Sequence, residues 1–120
     1  MKPIFYYLPS CSTCQKIMKE AGITADQFIL QDIKTEKIRA GQLDEMKKLA
    51  GSYEALFSRR SMQYTARGLK SQVLSEKDYR SLILEEYTFL KRPVAVIGDE
   101  IFIGNTNANI AALKERVQHL

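Results

Sequence analysis

The stretch Pro3-Ile4-Phe5-Tyr6-Tyr7-Leu8-Pro9-Ser10-Cys11-Ser12-Thr13-Cys14-Gln15-Lys16-Ile17-Met18-Lys19-Glu20-Ala21-Gly22 decides how this chain is read. Residues 3–8 are apolar, aromatic and β-prone, which predicts a strand, and Pro9-Ser10 break it. From there Cys14, Ile17, Met18 and Ala21 recur at helical spacing on one face, and Gly22 is placed to stop the helix. Residues 27–33 read as a second strand. A strand, a helix and a strand joined by a right-handed crossover make the two strands parallel. The cysteine pair Cys11 and Cys14 therefore lies where the first strand hands over to its helix.

Beyond this unit the pattern changes character. Leu43, Met46 and Leu49 share a helical face ending at Gly51, and Tyr79, Leu82, Ile83 and Leu90 mark a second amphipathic stretch with a capping signal in Ser75 and Asp78. At Arg92-Pro93 the pattern turns again. The apolar run Val94 to Ile97, a Gly98-Asp99 turn and Ile101-Phe102-Ile103 form a hairpin signature. A helix around Ile110, Leu113 and Val117 closes the chain. The order is β, α, β, a helical middle, β, β, α: an α/β class with one mixed sheet flanked by helices.

With 120 residues, 45% of them hydrophobic and 27% charged, the chain suits a single domain over 1–120. No run approaches the roughly 18 apolar residues that span a bilayer. Met1-Lys2 leads directly into the first strand without a leader pattern, so a cytoplasmic protein with no membrane partner is expected. The 18 basic and 14 acidic residues are interleaved, and the net charge of +4 sits on no separate tail, so direct nucleic-acid binding is not expected. Tyr6, Tyr7 and Tyr53 read as packing residues rather than the walls of a substrate groove. Asn105 and Asn107 read as turn and N-cap residues.

Two cysteines three residues apart would close almost no loop as a staple, which points to reactivity rather than structure. Cysteine reacts as the thiolate, and a free thiol near pKa 8.5 is mostly protonated at neutral pH. A helix N-terminus supplies what the anion needs: unpaired backbone N–H groups and the positive end of the macrodipole, with Ser12 and Thr13 adding hydroxyl donors. Cys11 is then the exposed nucleophile, and Cys14, one turn deeper on the same face, the thiol that resolves a mixed disulfide. Two blander readings compete. The pair could be small apolar residues of a core, or zinc ligands. A closed zinc site needs four ligands, and beyond the two thiols the chain has one histidine, His119, near its end, so no metal is expected.

The string Tyr7-Leu8-Pro9-Ser10-Cys11-Ser12-Thr13-Cys14-Gln15-Lys16, with Phe57-Ser58-Arg59-Arg60-Ser61 and Leu90-Lys91-Arg92-Pro93-Val94, resembles the arsenate reductase (ArsC)/Spx family through essentially the whole chain. The resemblance implies a thioredoxin-like, glutaredoxin-like domain with a helical insertion, here about 35–90, between its βαβ and ββα halves. It implies that Pro93 is a cis proline facing the cysteine loop. It also implies that Arg60, in preference to Arg59, and Arg92 point toward Cys11, where guanidinium groups grip an oxyanion or hold a thiolate.

This chain departs from both branches of that family. The arsenate reductases follow their nucleophile with a Gly-Thr-Ser-Arg type loop and no second cysteine, and they carry a further arginine after the last strand. Here those places hold Ser12-Thr13-Cys14-Gln15 and Ile103-Gly104-Asn105-Thr106-Asn107. The CxxC belongs to the Spx branch, which has an arginine where this chain has Gln15.

Two functions follow from the resemblance. One is a thiol oxidoreductase that reduces arsenate or a disulfide with Cys11, Cys14, Arg60 and Arg92, without an organic cofactor, and is recycled by glutathione, glutaredoxin or thioredoxin. The alternative is a redox-switched transcription regulator that binds the RNA polymerase alpha subunit's C-terminal domain.

Overall fold

A computed structural model describes residues 2–120, and Met1 lies outside them. The chain divides into two compact units: the segment up to Glu36 together with Arg92–Leu120, and Lys37–Lys91.

The first unit is a four-stranded sheet with two helices. Its elements are β1 (Ile4–Tyr7), α1 (Ser12–Ala21), β2 (Ile29–Asp32), β3 (Val94–Ile97), β4 (Glu100–Ile103) and α5 (Asn107–Gln118). The strand order is β2-β1-β3-β4, with β1 and β2 parallel and the remaining pairings antiparallel. This is the thioredoxin-like arrangement. The register sets Phe5 beside Leu30 and Ala95, and Ala95 beside Phe102. Because strand side chains alternate, these residues share one face of the sheet. Ile17 and Ala21 of α1 and Leu113 and Val117 of α5 pack with Phe5, Ala95, Ile97 and Phe102 in one core, joined by Ile23 and Phe28. On the opposite face Tyr6, Gln31 and Val94 form a buried row.

Two local signals place the ends of α1. Gly22 takes φ 75°, which lets the chain leave the helix left-handed, and Ile23 N–H donates to the Met18 carbonyl at 2.9 Å. At the other end the helix begins at Ser12 with Cys11 as its N-cap residue. At the C-terminal helix the N-cap is Thr106, whose hydroxyl accepts from Asn109 N–H at 3.2 Å, and not Asn107, which is already the first helical residue. Asn109 is bonded elsewhere, its side-chain amide donating to the Gly104 carbonyl at 2.9 Å.

The second unit contains α2 (Ala40–Ala50), α3 (Met62–Ala66), α4 (Glu76–Glu85) and three short 3-10 turns at Glu54–Leu56, Leu69–Ser71 and Tyr87–Phe89. Leu43 and Met46 of α2, Tyr79 and Ile83 of α4, and Leu56, Phe57, Phe89 and Leu90 are buried. Phe57 is central: its ring stacks on Phe89 at 5.1 Å and meets Tyr79 at 4.9 Å. The expected amphipathic stretch from Tyr79 to Leu90 is not one helix. It ends at Glu85, Glu86 is extended at φ −134°, and Leu90 pairs with Phe57 in an antiparallel bridge. Aromatic and β-branched residues follow in Tyr87-Thr88-Phe89, which weakens the helix just where Leu90 gains a strand partner.

Between helices of this unit, Arg80 grips Asp44 with two nitrogens at 2.9 and 3.2 Å, and the Tyr53 hydroxyl donates to the same carboxylate at 2.6 Å. The Glu76 carboxylate accepts from the Tyr53 and Glu54 amides at 2.7 and 3.1 Å. Among the described residues no helix is long and apolar enough to cross a membrane.

Candidate functional site

The site is built at the junction of β1 and α1. Cys11 N–H donates to the Leu8 carbonyl at 3.0 Å, so Leu8-Pro9-Ser10-Cys11 is a tight turn with proline in its second place. Gln15 N–H then donates to the Cys11 carbonyl at 3.1 Å and opens the helix. In that position Cys11 is partly exposed and Cys14 fully buried, and both are free thiols.

The environment splits the acidity of the pair. Burial opposes ionisation of Cys11. It is outweighed by hydrogen bonds from the Cys14 N–H, the Cys14 thiol and the Thr13 N–H, and by the charge of Arg92, so the Cys11 thiol lies below its ordinary value. Cys14 moves the other way, to about 11. Its burial comes first, a backbone hydrogen bond with Leu8 pulls back, and its bond to Cys11 and that sulfur's negative charge push further up. One sulfur is thus prepared as an anion and the other held as a proton donor to it.

The neutral Cys11 side chain makes no cap hydrogen bond; the helix amides act on its anion. The backbone N–H groups of Cys14 and Thr13, in that order, favour that anion. Neither the Ser12 nor the Thr13 hydroxyl makes a hydrogen bond among the described residues, contrary to the expectation of hydroxyl donors. At a helix N-terminus the amides already point out of the end of the cylinder, whereas first-turn side chains splay to its sides.

Arg92 and Pro93 arrive from the head of β3. Tyr6 near the end of β1 pairs with Val94, the first residue of β3, and Pro93 and Arg92 immediately precede it. The Arg92-Pro93 peptide is cis, Pro93 is buried, and its carbonyl accepts from Gly104 N–H at 2.8 Å. Arg92 is half-buried, and among the described residues no carboxylate pairs with it, so its charge acts on both sulfurs.

The two arginines of the other unit differ in what they touch. Arg59 is engaged: it bonds Glu54 at 2.8 Å and the Tyr79 hydroxyl at 3.0 Å and lies over the Phe57 and Tyr79 rings. Arg60 is exposed. Its backbone N–H donates to the Ser58 hydroxyl at 3.3 Å, and among the described residues its guanidinium has no hydrogen-bond or ion-pair partner. Arg60 therefore keeps its charge available, as Arg92 does, while Arg59 is spent on structure.

Sequence reasoning missed Gln15, whose side-chain amide donates to the Pro9 carbonyl at 2.9 Å across the cysteine turn. A glutamine one place after the second cysteine signalled only a departure from the expected arginine. His119, the one histidine, lies against the Glu115 carbonyl at 2.8 Å, and no group of three or more His, Cys, Asp or Glu side chains converges among the described residues.

The model of the ArsC family matches residues 6–113 of the chain. Among solved structures, one from Bacteroides fragilis described as ArsC family related is 23% identical, with a TM-score of 0.79 over 94% of this chain and 99% of that one. An arsenate reductase from Vibrio cholerae is 16% identical, with a TM-score of 0.76 over 94% and 98%. An arsenate reductase (ArsC) related protein from Brucella melitensis is 25% identical, with a TM-score of 0.67 over 93% of each chain. The sequence matches none of the curated proteins.

Proposed function

The chain belongs to the ArsC family, a family of thiol-dependent oxidoreductases, and from that premise we propose that it is a two-cysteine reductase of arsenate or of a disulfide. The observation that carries this reading is the placement of two free thiols one helical turn apart at the start of α1, Cys11 partly exposed at the N-cap and Cys14 buried in the first turn, with the Cys11 pKa lowered and the Cys14 pKa raised by those surroundings.

The Cys11 thiolate attacks first. On a disulfide it bonds to one sulfur and expels the other as thiolate. On arsenate it bonds to arsenic and a hydroxyl leaves as water. Cys14 then gives up its proton and attacks the Cys11 sulfur. The Cys11–Cys14 disulfide forms, two electrons pass to the substrate, and the reduced thiol or arsenite departs. Arg92, whose charge already acts on both sulfurs, holds the substrate's negative charge. Glutathione, glutaredoxin or thioredoxin returns the pair to the dithiol, and the compartment is the cytoplasm.

The test is a single turnover. Fully reduced protein is mixed with arsenate or with a small mixed disulfide, and product and lost thiols are counted together, with Cys11→Ser and Cys14→Ser alongside. One product per thiol pair consumed, abolished in Cys11→Ser, is the expected result. If neither substrate is reduced while a mild oxidant forms a persistent Cys11–Cys14 disulfide, the reductase reading is wrong. The pair would then act as a redox switch, with binding to the RNA polymerase alpha C-terminal domain the next measurement.

A further inference from the structure

Gln15 is exposed and belongs to no core, yet its side chain folds back against the direction of the helix to donate to the Pro9 carbonyl at 2.9 Å. That carbonyl belongs to the central peptide of the Leu8-to-Cys11 turn, the peptide whose flip interconverts the two common turn types. Among the described residues no non-glycine residue takes positive φ, so Ser10 keeps the turn in the form with negative φ at its third place. The same residue's backbone N–H is the first to close the helix onto Cys11, at 3.1 Å. Gln15 thus grips the cysteine loop at two points, one before Cys11 and one at Cys11 itself.

We infer that Gln15 is a positioning residue for Cys11: by fixing the Pro9-Ser10 peptide it holds the Cys11 sulfur in front of the Thr13 and Cys14 amides. The inference rests on Cys11 being the nucleophile. Gln15 touches no reacting atom. It acts through the turn, in which Leu8 contributes its carbonyl to the Cys11 amide while its own backbone N–H acts on the Cys14 sulfur. If the central peptide is released, the turn samples orientations in which the sulfur drifts from the amides, and the anion loses part of its stabilisation. The side chain's exposure means that its removal opens no cavity and leaves no buried group unsatisfied.

The test follows the pH dependence of Cys11 alkylation by iodoacetamide in the reduced full chain, with mass spectrometry to confirm the modified residue. Gln15→Met keeps length, neutrality and helix propensity but has no N–H to donate; Gln15→Ala is the second variant. Both should raise the alkylation midpoint by about half a unit to one unit, a threefold to tenfold loss of thiolate at pH values well below the midpoint, as expected for about one hydrogen bond lost from the loop. Melting temperature should fall by no more than about 5 °C, the scale of one hydrogen bond in a chain of this size, since no packing is lost. A lowered midpoint in the parent that neither variant moves overturns the positioning role and leaves the nucleophile standing. A parent midpoint at the ordinary cysteine value overturns the nucleophile reading itself, and with it this inference.

Discussion

Replacing Cys14 by alanine should make Cys11 a weaker acid. Against the cost of burial, the Cys11 anion is held by the Cys14 amide, the Cys14 thiol, the Thr13 amide and the Arg92 charge. Alanine keeps the amide and removes only the thiol. A hydrogen bond to a charged acceptor is worth about 1.5–3 kcal/mol from a strong donor, and S–H is a weak one. A loss of about 1 kcal/mol raises the Cys11 midpoint by about 0.7 unit and cuts its thiolate fraction about fivefold at pH values well below that midpoint. Ultraviolet absorbance of the thiolate, titrated against pH, reads this directly, and Cys14→Ser should shift less because its hydroxyl still donates.

The converse variant completes the measurement. In Cys11→Ser the buried Cys14 keeps a hydroxyl to bond but loses the negative charge that helps push it up, so its value should fall from about 11, stopping above the ordinary range because burial remains. The raised value also has a consequence for stability. A thiol at about 11 when folded and 9.0 when unfolded contributes its full stabilisation below pH 9 and loses it as pH rises through 11. Cys14→Ala should flatten that alkaline decline. An unchanged Cys11 midpoint in Cys14→Ala, or an unchanged Cys14 midpoint in Cys11→Ser, would refute the coupling of the two sulfurs.

Arg92→Met should also raise the Cys11 midpoint, by less than Cys14→Ala, and the parent's advantage should shrink with added salt; equal alkylation profiles for parent and variant would count against Arg92 as the local charge. Phe57→Ala should destabilise the chain by about 3–5 kcal/mol in urea titration, because a fully buried ring stacked on Phe89 leaves a cavity, and a loss under about 1 kcal/mol would mean the site collapses. Asp44, held at about 2 chiefly by its hydrogen bond from Arg80 and then by Tyr53, should contribute stability present above its unfolded value near 3.8 and lost as pH falls toward 2. Acid titration of Asp44→Asn should show a shallower decline over that window than the parent.

Most of the first unit could be read from residue order because its signals are local. The break at Pro9-Ser10, Gly22 after a helical face, and Gly98-Asp99 between two apolar runs each act within a few residues, and the strands and helices stand where these signals put them. What escaped depends on partners distant in sequence or on atoms that a residue letter does not show. Leu90 continues a helical spacing, yet the helix ends at Glu85 and Leu90 pairs with Phe57, a partner 33 residues earlier. Thr106 and Asn107 are both good caps, and the choice between them is made by which hydroxyl or amide meets the Asn109 N–H. Arg59 and Arg60 are indistinguishable as letters; Glu54 and Tyr79 occupy the first and leave the second free. At the cysteines, position and spacing were legible, while the use of backbone amides in place of the Ser12 and Thr13 hydroxyls was a matter of direction.

The bridge between Phe57 and Leu90 is braced on both sides, by Ser58 N–H to the Phe89 carbonyl at 2.7 Å and Lys91 N–H to the Leu56 carbonyl at 2.8 Å. It ties the chain into a noose around residues 58–89. Closure cost grows only with the logarithm of the length enclosed, so paying out eight more residues inside the noose costs about 0.2 kcal/mol. Within it Met62 and Val73 stand almost wholly in water. Descendants of this chain can therefore gain or shed residues beside those two positions and present a different outer surface, while the knot at Phe57 and Leu90 stays tied.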